Sequence, residues 1–248
     1  MGPVIHLRSA VALLGRFPAL AGVDLDVEAG DVLLLEGPNG AGKTSLLRVC
    51  AGLLPLSAGS GRVLGADLSR RARPFGIGFL GHSSGLYEDL TAEENVAFHL
   101  RIRGKSSPTA REALERLGLE GRLAGTPVSR LSAGQRRRVA LAGLVASAPP
   151  LWLLDEPHAG LDEGARLILD SLIGEVAARG AAVLVASHEL DHAARLATRR
   201  ARIDGGRLDA KLAAAPALEP EPEPEPSSSD PREVAPASPD SLEAVDVA

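Results

Sequence analysis

The fold is decided by one stretch of the sequence, Gly37-Pro38-Asn39-Gly40-Ala41-Gly42-Lys43-Thr44, which Ser45 follows directly. The stretch fits the pattern G-x-x-x-x-G-K-[ST], in which a glycine-rich turn joins a strand to a helix. Here the apolar run 32–35 precedes the turn, and a helical pattern begins at Lys43. In such a turn the backbone N–H groups point inward and the helix N-terminus adds partial positive charge, so phosphate groups bind there. We therefore predict that residues 37–45, the phosphate loop, bind the phosphates of a nucleotide.

Two side chains of the phosphate loop have a direct chemical task. In this pattern the lysine, here Lys43, reaches the β- and γ-phosphates, and the hydroxyl of the next residue, Thr44, ligates Mg²⁺. Only 3 of the 27 basic residues are lysine, and the first of them along the chain is Lys43. A slim ammonium fits at this position, whereas a broad guanidinium does not. We expect ATP and Mg²⁺ as the ligands.

A second element is the apolar run 151–154, which ends in the adjacent acids Asp155 and Glu156. Four apolar residues in a row are typical of a strand that is buried on both faces. After a phosphate loop, such a strand places Asp155 to hold Mg²⁺ through a water molecule and Glu156 to polarise the attacking water as a general base. Two acids at the end of a strand are weak evidence by themselves. Their position about 110 residues after the phosphate loop makes the evidence strong.

The third element, Leu131-Ser132-Ala133-Gly134-Gln135-Arg136, opens a helical pattern and is called the signature segment below. It resembles the L-S-G-G-Q signature of ABC ATPases, and with the other two elements the resemblance covers residues 4 to about 210. The resemblance implies that Ser132, Ala133, Gly134 and Gln135 contact ATP that is held by a second copy of the chain or by a homologous subunit. Ala133 replaces a glycine, which is a mild departure because alanine needs only an ordinary backbone conformation there.

Further positions carry roles that the resemblance alone implies. Asp162, at the end of Ala159-Gly160-Leu161-Asp162, matches a loop that runs along the dimer seam and contacts nucleotide. His188, after the apolar run 183–186, matches a histidine that contacts the γ-phosphate. His82 stands where most members have a glutamine that contacts Mg²⁺ and the attacking water. These matches make His188 and His82 candidate catalytic residues beside Glu156.

The aromatic side chain that stacks on adenine in many ABC ATPases is missing from its usual position. Leu14 stands there, just before Gly15, and Phe17 is close but out of register. Which of the two contacts the adenine stays open at this point. The sequence therefore predicts weak discrimination among purine nucleotides.

Alternating strand and helix patterns predict an α/β fold with a mainly parallel sheet. The resemblance adds the P-loop NTPase core of the ABC type, with an antiparallel β subdomain and a helical subdomain inserted at about residues 82–147. The expected strands cover residues 4–7, 23–27, 32–35, 76–80, 151–154 and 183–186. The expected helices cover residues 43–51, 92–101, 108–117, 133–148, 164–178 and 190–197.

The composition of the sequence changes at about residue 213. Residues 213–248 hold nine acidic residues against one arginine, and eight of the 18 prolines. Because these charges repel and few large apolar groups are available, the segment should stay extended and disordered. We expect an ATP-binding domain over residues 1–212 and a disordered acidic tail over residues 213–248.

The bulk composition limits the possible partners. No run approaches the roughly 20 apolar residues that a membrane helix needs, and the single cysteine, Cys50, excludes an internal disulfide. Without the tail the net charge of −5 becomes +3, which is too mild to indicate a nucleic-acid partner. The resemblance implies instead a transmembrane permease subunit, with this chain cytoplasmic and peripheral on the inner face of the cell membrane.

Three segments together are similar to one subfamily, the ATP-binding subunits of the haem exporter of cytochrome c maturation: residues 81–86, 131–142 and 151–157. The resemblance implies haem, or a haem-loaded carrier, as the cargo. The alternative of an exporter subunit for a drug, lipid or lipoprotein stays open, because none of these residues contacts the cargo. A soluble ABC ATPase that acts on ribosomes or DNA is disfavoured, because the chain has one phosphate loop and no long coiled coil or zinc cysteines. A simple P-loop kinase would not need the signature segment or His188.

Overall fold

The computed structural model describes residues 2–68, 74–104, 109–188, 195–209 and 213–214. The strands are β1 (Ile5–Leu14), β2 (Phe17–Val27), β3 (Val32–Glu36), β4 (Ala58–Val63), β5 (Ala66–Asp67), β6 (Ile77–Leu80), β7 (Leu151–Asp155), β8 (Ala182–Ala186), β9 (Arg199–Asp204), β10 (Arg207–Leu208) and β11 (Ala213–Ala214). The helices are α1 (Lys43–Cys50), α2 (Ala92–Arg101), α3 (Thr109–Glu115), α4 (Ala133–Ser147) and α5 (Glu163–Ala178), with short 3-10 helices at Gly121–Leu123 and Val128–Arg130.

The central sheet has the order β10-β9-β3-β8-β7-β6 within the described residues. The five strands from β9 to β6 are parallel, while β10 and β11 pair with β9 in the antiparallel sense. Every residue of β7 and β8 is buried, as expected for the unbroken apolar runs of a sheet covered on both faces. The α/β prediction is confirmed, and the carboxyl ends of β3, β7 and β8 meet at one edge.

Alternate side chains of the central strands enter two separate cores. Leu33, Leu35, Leu151 and Leu153 pack with α1 and the antiparallel strands, while Trp152 and its in-phase neighbours pack with helices α2 to α5. This division follows from the two-residue period of a strand, which sends successive side chains to opposite faces. The sheet is therefore the middle layer of the fold, and its carboxyl edge opens between the two outer layers.

A second sheet has the order β2-β1-β4-β5 and is antiparallel. Strand β4, with the sequence Ala-Gly-Ser-Gly-Arg-Val, lacks the apolar run that predicts a strand and was not expected. It forms because β1 supplies a pairing edge, with Ile5 opposite Val63. Strand β9 was also missed, because only its Ala201 and Ile203 are buried and its other four residues are three arginines and Asp204.

The segment between β6 and β7 carries α2, α3 and α4, which pack on one another as the predicted helical insertion. Helix α2 begins at a capping box, in which Thr91 and Glu94 satisfy each other's backbone N–H groups. The side-chain amide of Asn95 in α2 donates to the carbonyls of Tyr87, Leu90 and Thr91, and so orders the residues that lead into the helical insertion.

Two expectations fall partly outside the described residues. Of the predicted helix 190–197, residues 190–194 are not among them, and residues 195–196 are helical. Of the predicted tail, residues 215–248 are not among them. Ala213 and Ala214, which the sequence assigned to the tail, instead pair with Arg200 and Arg199 of β9, so ordered structure extends past residue 212. In the part of the chain that the structure describes, no helix is long and apolar enough to cross a membrane.

Candidate nucleotide-hydrolysis site

The phosphate loop joins the end of β3 to the start of α1, as predicted. Gly37 has a φ of 149°, and a side chain added there would collide with the Ile203 carbonyl of β9. The loop therefore needs glycine at this position to pass so close to the neighbouring strand. Helix α1 begins after Gly42 with no side-chain cap, which leaves its first N–H groups open toward the loop.

A cavity of about 560 Å³ lies over the phosphate loop. Its wall brings together most residues that the sequence selected: Pro38, Asn39, Gly40, Ala41, Gly42, Lys43, Thr44, Ser45, His82, Asp155 and Glu156. Gly37 contributes through its carbonyl, which accepts a hydrogen bond from the Lys43 Nζ at 2.6 Å. The same ammonium donates to the Pro38 carbonyl at 3.2 Å. Lys43 is 93% buried, so its charge is held beneath the loop.

Thr44 and Asp155 meet at the floor of this cavity. The Thr44 hydroxyl donates to both carboxylate oxygens of Asp155, at 2.9 and 3.1 Å, although the residues are 111 positions apart. The neutral hydroxyl oxygen of Thr44 and the anionic carboxylate of Asp155 therefore lie together, and Mg²⁺ prefers oxygen ligands of this kind. The residues present therefore fit a magnesium ion, with Thr44 and Asp155 as its protein contacts.

Glu156 follows the last residue of β7 and has a left-handed backbone, with φ of 48°. Its N–H donates to the Ala186 carbonyl of β8 at 2.8 Å. Its Oε2 accepts from the Ser187 hydroxyl at 3.2 Å and from the His188 N–H at 3.3 Å. The His188 Nδ1 lies 2.9 Å from Oε1. Three contacts from the end of β8 thus hold this carboxylate at the cavity wall.

His82 lies in the wall of the same cavity as Glu156. It also lines a second cavity of about 430 Å³ together with Ala133, Glu156 and Gly160. His82 thus borders both cavities that Glu156 borders. Its chemical role stays a prediction.

The signature segment lies away from the phosphate cavity of its own chain. Ser132 caps α4: its hydroxyl accepts from the Gln135 N–H at 3.2 Å, and the Gln135 side chain accepts from the Ser132 N–H at 2.9 Å. Ser132 and Ala133 are exposed. Gly134 is packed so closely that an added Cβ would come within 2.7 Å of the Gly160 carbonyl. The helix start therefore faces solvent beside the loop 159–162.

Asp162 caps α5 through a hydrogen bond from the Ala165 N–H to its Oδ1, at 2.8 Å. It does not line the phosphate cavity of its own chain. Its predicted contact is with nucleotide held by a second chain, and it stays a prediction. The same holds for Ser132, Ala133, Gly134 and Gln135.

The mouth of the cavity contains both candidates for the adenine contact. Leu14 and Phe17 are cross-strand neighbours at the turn between β1 and β2, and both line the wall. Phe17 is 79% exposed and Leu14 is 48% exposed, so both side chains are accessible to a ligand. The out-of-register aromatic thus reaches the nucleotide cavity.

Arg137 is a residue of this edge that the sequence analysis did not select. It is buried in the second turn of α4, and its guanidinium donates to the backbone carbonyls of Asp155 and Glu156. Burial lowers the pKa of Arg137, and the nearby carboxylates of Asp155 and Glu156 oppose that shift. A signal was present in the sequence: Arg137 falls on the stripe i, i+4, i+7 with Leu141 and Leu144, where an apolar residue is expected.

The fold and the site together define an ATP-binding cassette. The family model described as ABC transporter matches residues 20–159, and the chain belongs to this family. Its relatives include the cytochrome c biogenesis ATP-binding export protein CcmA of Cupriavidus pinatubonensis, which is 38% identical over 194 residues, 77% of this chain and 85% of that protein. The CcmA of Xanthomonas campestris pv. campestris is 40% identical over 187 residues, 75% of this chain and 87% of that protein.

Solved structures agree with this assignment. A dimeric bacterial ABC transporter cassette has a TM-score of 0.78 at 25% identity, over 86% of this chain and all of that chain. A dimeric ATP-binding cassette in a post-hydrolysis state with ADP and phosphate has a TM-score of 0.76 over the same shares, also at 25% identity. The chain is an ATP-binding and ATP-hydrolysing protein of the ABC transporter family.

Proposed function

We propose that this chain is the ATP-hydrolysing subunit of an exporter that serves cytochrome c biogenesis, with haem or a haem-loaded carrier as the cargo. The relatives whose names carry this activity cover most of the chain at about 40% identity. The match extends through the segments around His82, the signature segment and the strand before Glu156. The cargo itself is carried by the membrane partner, so this chain supplies the energy.

The single observation that carries the enzymatic part is the convergence at the carboxyl edge of the sheet. Lys43, the Thr44–Asp155 pair and the Glu156–His188 pair come from three distant parts of the sequence and line one cavity or touch its wall. The N–H groups of the loop and of α1 hold the phosphates, and Lys43 turns from the loop carbonyls to the β- and γ-phosphates. Thr44 and Asp155 would hold Mg²⁺, which would supply positive charge against the developing negative charge of the phosphates.

Glu156 acts as the general base. Its carboxylate accepts a proton as water attacks the γ-phosphorus, and the bond from that phosphorus to the β–γ bridging oxygen breaks, which gives ADP and phosphate. Ser187 and the His188 N–H fix Oε2, so that the carboxylate keeps one orientation. His188, which pairs with Glu156, contacts the γ-phosphate, and His82 contacts the attacking water.

The active form is a dimer of two such chains, or of this chain with a homologous subunit. At the start of α4, Ser132 and Ala133 are exposed beside the partly buried Gly134 and Gln135, and the positive helix end suits the phosphates of a facing chain. Asp162 lies beside the same surface. Both solved cassettes described above are dimeric, which supports this arrangement.

The partner in the membrane is a transmembrane permease subunit, and this chain lies on the cytoplasmic face as a peripheral subunit.

A bacterium that lacks its own ATPase for cytochrome c biogenesis provides the test of the proposed function. The wild-type chain, expressed with its membrane partner, should restore covalent haem attachment to c-type cytochromes, and Glu156→Gln should not. Pull-down from detergent-solubilised membranes should recover a haem-handling permease. Restoration of cytochrome c by Glu156→Gln, or recovery of a permease for an unrelated cargo, would contradict the proposal.

A further inference from the structure

The guanidinium of Arg137 is surrounded by backbone carbonyls at the catalytic edge of the sheet. It donates to the carbonyls of Gly81 at 2.6 Å, Asp155 at 2.8 Å and Glu156 at 2.7 Å. A longer contact joins its Nε to the Pro157 carbonyl at 3.5 Å. The side chain is 92% buried, so these carbonyls, and not water, take up its donors.

Three consecutive carbonyls, those of residues 155–157, turn toward this one cation. A chain that continued as an extended strand would point alternate carbonyls in opposite directions, so the arrangement requires a sharp turn at Glu156. That turn is the left-handed conformation at φ 48°, which L side chains rarely adopt. A planar fork with five N–H donors is suited to gather several carbonyls at once.

The fourth carbonyl, that of Gly81, lies directly before His82 at the end of β6. Arg137 itself is the fifth residue of α4, two positions after Gln135 of the capping box. One side chain therefore links the loop of His82, the turn of Glu156 and the helix that presents the signature segment. The neighbouring Arg138 has a different setting: its Nη1 donates to the Leu117 carbonyl at 3.2 Å, within the helical insertion.

We propose that Arg137 is a positioning residue for ATP hydrolysis, which holds the backbone turn that aims the Glu156 carboxylate and ties this turn to the start of α4 and to the His82 loop. The inference rests on the proposed role of Glu156 as the base. Nucleotide binding should depend little on Arg137, because the phosphate loop and Lys43 make none of these contacts. Turnover should depend on it strongly, because a small misplacement of a base from its water is costly.

Steady-state kinetics of Arg137→Gln, with Arg138→Gln as the matched control, test the proposal. Arg137→Gln should lower kcat about tenfold or more and leave the affinity for ATP within about twofold, because an amide has two donors where the guanidinium has five. Arg137→Lys should recover part of kcat through its three donors. Arg138→Gln should stay within about twofold of wild-type kcat. A kcat in Arg137→Gln no lower than in Arg138→Gln would overturn the proposal.

Chemical rescue separates positioning from a merely structural role. Arg137→Ala should gain turnover on addition of guanidinium ion at concentrations far below those that unfold the protein, because the free cation can occupy the same cluster of carbonyls. Arg138→Ala should not respond. If Arg137→Ala and Arg137→Gln do not fold, Arg137→Lys decides alone: a wild-type kcat overturns the proposal, and a reduced kcat at wild-type ATP affinity supports it.

The same assay distinguishes this inference from the role of Glu156. If Glu156→Gln is inactive while Arg137→Gln turns over like the wild type, only the positioning role of Arg137 fails. If Glu156→Gln keeps its turnover, the assignment of the base fails, and with it the reason for holding the turn.

Discussion

At the scale of single residues, the chemistry depends on side chains that one edge of the sheet brings within hydrogen-bond distance. Lys43 is held by two carbonyls of its own loop, so its ammonium is ordered before nucleotide enters. Thr44 and Asp155 share one hydrogen-bonded contact, and Glu156 is fixed by Ser187 and His188. His82 completes this wall from the end of β6.

His82 provides the residue-scale prediction. His82→Gln should keep at least half of wild-type turnover, because an amide also donates and accepts hydrogen bonds and is the usual family residue. His82→Ala should lower kcat about tenfold, less than the roughly 10²–10⁴-fold of a general acid or base, because His82 would orient the water while Glu156 takes its proton. Single-turnover ATP hydrolysis of the two variants measures the difference. Wild-type kcat in His82→Ala would place the imidazole outside the chemistry.

At the scale of elements, contact with the loop 159–162 fixes the position of the start of α4. The capping box of Ser132 and Gln135 stabilises the helix, and removal of such a cap typically costs about 1 kcal/mol. Ser132→Ala would therefore mix an effect on stability with any effect on nucleotide contact. Gly134 offers a cleaner test, because its constraint is the approach of the Gly160 carbonyl.

Gly134→Ala should lower kcat about tenfold or more, because the new Cβ would lie 2.7 Å from the Gly160 carbonyl and must displace the start of α4. Gly174→Ala on α5 is the matched control, since an added Cβ there meets no atom within 4 Å. The control should keep wild-type turnover. Equal activity of the two variants would mean that the position of the signature segment does not limit hydrolysis.

His99 on α2 makes stability depend on pH. Burial, with a smaller contribution from Arg103, lowers the pKa of His99 in the folded protein. The unfolded chain therefore binds this proton more readily, so folding stability falls as pH drops below the ordinary histidine value of about 6.5. Urea midpoints at pH 7.5 and 5.5 should differ less in His99→Gln than in the wild type. An equal difference in both proteins would contradict this sign.

The strands and helices show where prediction from the sequence reaches its limit. The buried strands β3, β7 and β8 could be predicted because sheets covered on both faces need continuous apolar runs. Strands β4 and β9 could not, because neighbouring strands and not their own composition make them extended. The phosphate loop, Asp155 and Glu156 were selected from residue types, flanking apolar runs and spacing. Arg137 was not, because its four carbonyl partners come from segments that only the folded chain brings together.

At the scale of the whole molecule, the ATP-binding domain and the acidic segment differ in the apolar residues that they have to bury. Two cores flank the central sheet of the domain, whereas residues 213–248 offer few apolar groups to bury. Truncation after Ala214, which keeps the pairing of β11 with β9, should leave ATPase activity within about twofold, or about 0.4 kcal/mol on the rate scale. A larger loss would give the acidic tail a part in hydrolysis.

The central claim is that Glu156, in the turn after β7, is the base of an ATP-driven dimer. The most direct measurement is ATP turnover and size-exclusion behaviour of Glu156→Gln, which loses charge and basicity but keeps its shape. Turnover should fall below about a tenth of wild type with ATP binding retained, and an ATP-dependent dimer should elute ahead of the nucleotide-free protein. Turnover above a tenth of wild type would contradict the role of Glu156 as the base.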